Sequence, residues 1–315
     1  MMMMMMTTAL LLFCLLSSTS ALRSGTTRLC SVNQQSEEMT LPLRRVLVTG
    51  ANQGIGLALA KQLVADHGCH VYLGSRSAEK GNKVLEEEFE AGDSVELLQI
   101  DVSSDESVEA AASDLSARLG DEKLYAIVNN AGIISNEQNR ASAVLNTNTR
   151  GPIRVVDNFI KHLQPKGRIV NLGSGGGPNF VSTLRGKDKE RYMNAMSNDE
   201  IEAEIAKIEA MGEGFSSYQG SKALVTCYTM ALAEKYPELM CSSVSPGWIL
   251  TNMTRGMGAS KSPEEGTVSL RKCLFENLPK SGWYWGSDGL RSPLHYMRNP
   301  GEPEYVEEES MTFAN

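Results

Sequence analysis

Tyr218 and Lys222 stand four residues apart in the stretch Ser217-Tyr218-Gln219-Gly220-Ser221-Lys222. On a helix, positions i and i+4 share a face. A fixed positive charge beside a phenol favours phenolate and lowers the phenol's pKa from about 10 toward neutrality. Such a pair can give and take a proton near working pH. Far upstream, Thr49-Gly50-Ala51-Asn52-Gln53-Gly54-Ile55-Gly56 closes an apolar run with a glycine-rich turn. Gly50, Gly54 and Gly56 let the backbone bend tightly and approach phosphate, the usual seat of a dinucleotide's pyrophosphate. One stretch handles a proton and the other holds a cofactor. Together they point to hydride transfer at a carbonyl.

The tip of the second expected strand distinguishes between cofactors. An acid about 20 residues beyond the glycine turn bonds the ribose 2′-hydroxyl in NAD sites. Here the tip reads Gly74-Ser75-Arg76, with Lys80 one turn later and no acid. Two cations match a 2′-phosphate, so NADP(H) is expected rather than NAD(H). Asp101, at the end of the third strand, has two readings: it receives the adenine amino group, or it caps the next helix. Ser174 follows the fifth strand, where a hydroxyl can donate to a substrate oxygen as negative charge develops.

The elements that must position these groups alternate. Val46–Val48, Val71–Leu73, Val95–Ile100, Leu124–Val128 and Arg168–Leu172 read as short, continuously apolar strands, with helical spacing between them. Helices are expected over Ile55–Ala65, onward from the second strand through Glu90, over Ser107–Leu119 and near Val155–Leu163. The expected fold is α/β: a single doubly wound parallel sheet covered on both faces. Gly175-Gly176-Gly177-Pro178 reads as a loop, and residues 175–214 as a mostly helical insertion before the Tyr218 helix at Phe215–Tyr236. Leu239–Ser245 and Trp283–Trp285 read as the last strands, and the acidic residues from Pro300 onward as a frayed end. Residues 44–315 form one domain in this reading.

In order, the motifs are TGANQGIG at 49–56, Asp101-Val102, NNAG at 129–132, Asn148, Ser174, Tyr218-x-x-x-Lys222 and Pro246-Gly247. This set resembles the short-chain dehydrogenase/reductase family, whose core is a Rossmann fold, over residues 44 to about 290. The resemblance implies Tyr218 as general acid/base, with Lys222 lowering its pKa and binding the nicotinamide ribose. It implies Ser174 as the group that orients the carbonyl and Asn148 as the holder of a relay water. The implied cofactor contacts are Asn52, Gln53 and Ile55 beside the three glycines of the turn, then Arg76 and Lys80. Further along they are Asp101, Val102, Asn130, Tyr218, Lys222, Ile249 and Thr251. Ser174, Tyr218 and Trp248 are the implied substrate contacts.

Within the family, the chain is most similar to the carbonyl reductase branch. Forty-three residues separate Ser174 from Tyr218, far more than most members carry. Arg76-x-x-x-Lys80, Ser245-Pro246-Gly247-Trp248-Ile249-Leu250-Thr251 and Ser262-Pro263-Glu264-Glu265-Gly266 also match that branch. There the insertion covers the face that relatives use for pairing, which implies a monomer. Gln53 stands where the branch often has a basic residue, and Gly173 where a serine often precedes the catalytic one. The expected activity is NADPH-dependent reduction of a ketone or aldehyde. The alternatives are an NADP-binding regulator on the same fold and an alcohol dehydrogenase working oxidatively. An intact set of four catalytic positions favours the enzyme.

The remaining composition narrows partners and compartment. The 315 residues are 41% hydrophobic and 22% charged, with a formal charge of −8 and no basic block, which disfavours nucleic acid. Six cysteines and four histidines show no metal spacing, so no metal is expected. Cys69, Cys227, Cys241 and Cys273 lie in apolar stretches and read as buried free thiols. Residues 1–43 differ from the rest. Ala9–Leu16 is an apolar run followed by Ser17-Ser18-Thr19-Ser20-Ala21, a signal-like pattern with cleavage expected after Ala21. From Leu22 the chain is basic, hydroxylated and free of acids until Glu37, like a transit peptide. The whole resembles the bipartite presequences of algae with secondary plastids. The plastid is therefore the expected compartment, with the secretory pathway or cytoplasm as alternatives and no stable membrane anchor after processing.

Overall fold

A computed structural model describes residues 42–134, 140–212 and 215–306. The presequence expected over residues 1–43 lies outside the described residues, apart from the exposed Pro42 and Leu43. In chain order the first half comprises β1 (Arg45–Val48), α1 (Gly54–Ala65), β2 (His70–Ser75), α2 (Ala78–Glu88), β3 (Val95–Gln99), α3 (Asp105–Leu119) and β4 (Leu124–Asn129). There follow α4 (Ala141–Leu145), a π-helical turn at Asn146–Arg150, α5 (Gly151–Phe159) and β5 (Leu163–Leu172). Then come α6 (Gly176–Thr183), α7 (Gly186–Arg191), α8 (Asn198–Ala210), α9 (Phe215–Lys235), β6 (Met240–Val244), α10 (Val268–Phe275) and β7 (Tyr284–Trp285).

The seven strands form one sheet in the order β3-β2-β1-β4-β5-β6-β7, every named pair parallel. The chain thus forms the doubly wound parallel sheet expected from its apolar runs. Side chains of a strand alternate between faces. Leu47 therefore joins a core with Phe159, Ile205 and Leu224, while Val46 and Val48 join a second core with Leu59, Leu63 and Leu270. The chain leaves β1 in one direction toward β2 and in the other toward β4. Ligands of such sheets bind outside the strand ends at that reversal.

Polar groups cross the middle of the sheet. The Asn129 amide donates to Asn171 Oδ1 at 2.8 Å, and the Asn171 amide donates to Thr229 Oγ1 at 2.9 Å. All three side chains are buried. Ladders of this kind tie the ends of β4 and β5 to α9, which carries Tyr218 and Lys222. The four cysteines read as buried free thiols, Cys69, Cys227, Cys241 and Cys273, are buried and unpaired.

Several elements depart from the sequence-based expectation. Gly176, Gly177 and Pro178 open helix α6 instead of forming a loop. Proline is tolerated in a first turn, where its missing N–H has no intrahelical partner to lose. Gly177 marks close packing: a Cβ there would lie 3.1 Å from the Lys222 carbonyl on α9. The helix expected near 155–163 begins upstream at Ala141 and runs through a closing 3₁₀ turn at Ile160–His162, and Leu163 begins β5. The residues from Pro300 to Val306 are tied down, not frayed. Tyr305 N donates to Arg291 O at 3.1 Å, and Glu302 accepts from Asn299 N at 2.9 Å.

Candidate active site

Helix α1 begins with a bare end. Its N-cap Gln53 makes no side-chain cap bond, and its first turn holds no acid. Helices α2 and α3, by contrast, are capped by Ser77 and Ser104. An uncapped helix start leaves N–H groups and the positive end of the helix dipole for an anion. The turn before it needs its glycines. Gly50 and Gly54 have φ of 64° and 56°, and a Cβ on Gly56 would stand 2.5 Å from Asn130 Nδ2. Asn130 braces the turn by donating to Thr49 O at 2.8 Å and Gly50 O at 3.1 Å. The buried Thr49 hydroxyl accepts from Asn130 N and Ala131 N, both at 3.1 Å. Thr49 is a bracing residue that the sequence reading did not single out; its position at the very end of β1 was the available signal.

A cleft of about 320 Å³ runs from this turn to the ends of β4, β5 and β6. Its lining brings together Gly50, Asn52, Gln53, Gly54, Ile55, Arg76, Lys80, Asp101, Val102 and Asn130. Ser174, Tyr218, Lys222, Trp248, Ile249 and Thr251 line it too. Gly56 and Asn148 stand behind the lining and shape it. Arg76 and Lys80 are exposed at one end. Asp101 is held in place because Oδ1 accepts from Ser103 N at 3.0 Å and Ser103 Oγ at 2.7 Å. The cap of α3 is Ser104, so the capping alternative for Asp101 does not hold. Gln53 Oε1 accepts from Asn252 Nδ2 at 3.1 Å, tying the glycine turn to the loop after β6. The residues are 199 positions apart, which no local pattern signals.

At the inner end, Ser174 and Tyr218 both line the cleft and flank the same point: a Cβ on Gly176 would lie 3.4 Å from Ser174 Oγ and 3.6 Å from the Tyr218 ring edge. Lys222 is 4% exposed, and its Nζ donates to Leu172 O at 2.7 Å. That ammonium lies 5.9 Å from the centroid of the Tyr218 ring. Burial raises the Tyr218 phenol above its ordinary value, opposed in part by the nearby Ser174 hydroxyl. Burial also lowers Lys222 to about 8. Desolvation dominates at both groups, and the Lys222 ammonium is engaged by the Leu172 carbonyl rather than by the half-buried phenol.

Asn148 lies in the π-helical turn, 1% exposed. Its Nδ2 donates to Ile133 O at 2.9 Å and Ser221 Oγ at 3.1 Å, and Oδ1 accepts from Ile133 N at 2.8 Å. Both amide hydrogens are committed, so any water this residue holds must donate to it, at a carbonyl oxygen.

The short chain dehydrogenase family profile matches residues 44–184. A (+)-neomenthol dehydrogenase of Arabidopsis thaliana is 32% identical over 269 residues, 72% of this chain and 89% of the relative. The chain belongs to the short-chain dehydrogenase family. It is an oxidoreductase. Carbonyl reductase [NADPH] 1 of Mus musculus is 28% identical over 242 residues, 70% of this chain and 86% of that protein. Salutaridine reductase from Papaver somniferum superposes with a TM-score of 0.66 at 26% identity, covering 76% of this chain and 99% of its own.

Proposed function

We propose that the protein is an NADPH-dependent carbonyl reductase, converting a ketone or aldehyde to an alcohol. The observation that carries this reading is one cleft that gathers Ser174, Tyr218 and the buried Lys222 at its inner end and Arg76 and Lys80 at its outer end. NADP(H) is the cofactor. The residues present fit it: a bare helix start for the pyrophosphate, two exposed cations and no acid at the tip of β2, and a buried lysine at the far end. When bound, the cofactor supplies the hydride. Arg76 and Lys80 hold its 2′-phosphate, and the glycine turn with Asn52, Gln53 and Ile55 holds the pyrophosphate.

The chain's own groups complete the reaction. Ser174 donates to the carbonyl oxygen and orients it. Tyr218 gives its proton to that oxygen as negative charge builds. A phenol with a raised pKa is protonated in the resting enzyme, which suits an acid acting in the reductive direction. Lys222, charged below about pH 8, supplies positive field to the phenolate left behind. Asn148 is held in the π-helical turn close to this pair. The test is NADPH consumption by the full chain with a panel of quinones, aldehydes and cyclic ketones. Turnover with NADPH above NADH is expected; binding without turnover would favour the regulator.

Two features extend the reading. Helices α6 and α8 pack on α9 and cover a face that could otherwise pair, so the protein is a monomer and light scattering at micromolar concentration returns one chain mass. Residues 1–43 are a cleaved presequence that delivers the protein to an organelle, the plastid. N-terminal sequencing of native protein is expected to find a start between Leu22 and Leu41; an intact Met1 on cytosolic protein contradicts this.

A further inference from the structure

The segment after β7 returns to the site. Gly286 has no room for a side chain: a Cβ there would lie 2.6 Å from Ser292 Oγ and 2.7 Å from an Arg298 terminal nitrogen. Arg298 is 7% exposed. Its guanidinium pairs with Asp288 and donates to Ser292 Oγ at 3.0 Å, Glu302 O at 2.7 Å and Asn299 O at 3.3 Å. Burial would raise the Asp288 carboxyl, but hydrogen bonds from Arg298, Leu290 N and Gly301 N hold it below its ordinary range. Arg291 lies 3.9 Å over the Trp283 ring and 5.2 Å from the Tyr305 ring. The segment is therefore a strap with a fixed shape.

The strap touches both loops that close the inner end of the cleft. A Cβ on Gly247, in the loop after β6, would meet Ser287 at 3.1 Å. A Cβ on Gly175, the neighbour of Ser174, would meet Met297 Sδ at 3.0 Å. Met297 also lies within 3.7 Å of the Asn179 amide, yet it stays 45% exposed. Trp248 and Met253, on the cleft lining, are 45% and 36% exposed. Among the described residues the charged side chains that line the cleft are Arg76, Lys80, Asp101 and the buried Lys222. All of these belong to the cofactor reading. Trp248 and Met253 on the lining, and Met297 just beyond it against Gly175, give this end an indole and thioethers, and a methionine reshapes easily around different ligands.

We propose that Met297, presented to the Ser174 loop by the Arg298 anchor, sets substrate selectivity, and that the substrates selected are uncharged, apolar carbonyl compounds. This rests on the reductase reading above. A half-exposed methionine contributes little to the fold, so its replacement leaves stability near wild type. Removing its side chain enlarges the space beside Ser174. Bulky ketones then gain relative to small ones.

The experiment uses the full chain with NADPH and two ketones, cyclohexanone and 4-tert-butylcyclohexanone. In Met297→Ala the ratio of kcat/KM, bulky over small, is expected to rise about tenfold, the scale at which a pocket discriminates a few methyl groups. The NADPH Kd and Tm stay at wild-type values, and Met297→Leu keeps the wild-type ratio. A Met297→Ala ratio within about twofold of wild type in an active enzyme overturns the assignment. Methyl levulinate is expected to beat levulinate by about tenfold or more in wild type, since a carboxylate finds no partner there. Equal rates, or a preference for the acid, overturn the apolar class. A chain that binds NADPH and reduces none of these ketones overturns the reductase reading, and this inference with it.

Discussion

Lys80 and Lys222 line the same cleft and meet opposite conditions. Lys80 is exposed beside Arg76 at the outer end, whereas Lys222 is 4% exposed beside Tyr218 at the inner end. An exposed cation attracts an anion through water, gains little per contact and is screened by salt. A buried cation acts through a weakly screening medium, and its own protonation becomes sensitive to pH. The cleft therefore separates holding from chemistry by burial. The same residue type serves for affinity at one end and for reactivity at the other.

The sharpest break between the two ends is Tyr218→Phe. It removes the proton donor and leaves the outer end untouched. Turnover is expected to fall by about 10² to 10⁴, the usual worth of general acid catalysis. NADPH affinity, read by fluorescence titration, stays at the wild-type value. Near-normal turnover would remove Tyr218 from the chemistry.

Arg76→Ala combined with Lys80→Ala is the converse. Because both cations are exposed, the NADPH Kd is expected to rise about five- to a hundredfold, with turnover at saturation unchanged. The loss shrinks as salt rises, and preference over NADH disappears. A wild type that already prefers NADH contradicts the cofactor reading.

The smallest effect is the pH response of Lys222. The kcat/KM for NADPH, which reports the free enzyme, is expected to fall about tenfold per unit above about pH 8. The sign for stability is opposite. The folded chain gives up this proton before the unfolded chain does, so the folding penalty of Lys222 is complete below about pH 8 and shrinks above it. The Tm difference between wild type and Lys222→Met tracks that change. A flat activity profile from pH 7 to about 10 would place the Lys222 charge outside the reaction.

Both ends of the cleft were largely legible in the sequence, because local rules govern their main motifs. A glycine turn, a strand tip and an i, i+4 pair each depend on neighbours in the chain. What escaped depends on distant packing. Asn146-Thr147-Asn148-Thr149 has poor helix propensity, yet it lies inside a helical segment because its side chains bond to Ile133 and Ser221. Gly176-Gly177-Pro178 looks like a loop until α9 is seen against it. The strap ending at Val306 reads as an acidic tail, since only the fold brings Asp288 to Arg298. The Tyr218–Lys222 spacing is likewise visible in the chain, whereas the desolvation that raises the Tyr218 phenol belongs to the fold.

The π-helical turn at Asn146–Arg150 has a further consequence. A π turn holds one residue more than an α turn for the same advance. The helical segment from Ala141 to Phe159 therefore contains a surplus residue, and its two α-helical parts are offset by about 100° of rotation. Closing this turn to α geometry at unchanged chain length would swing one part by that angle relative to the other. The Asn148 amide and the buried face of α5, both intact in composition, could no longer point inward together. The surplus residue is accommodated only while the turn stays wide, so the width of one turn sets how two distant faces are aimed.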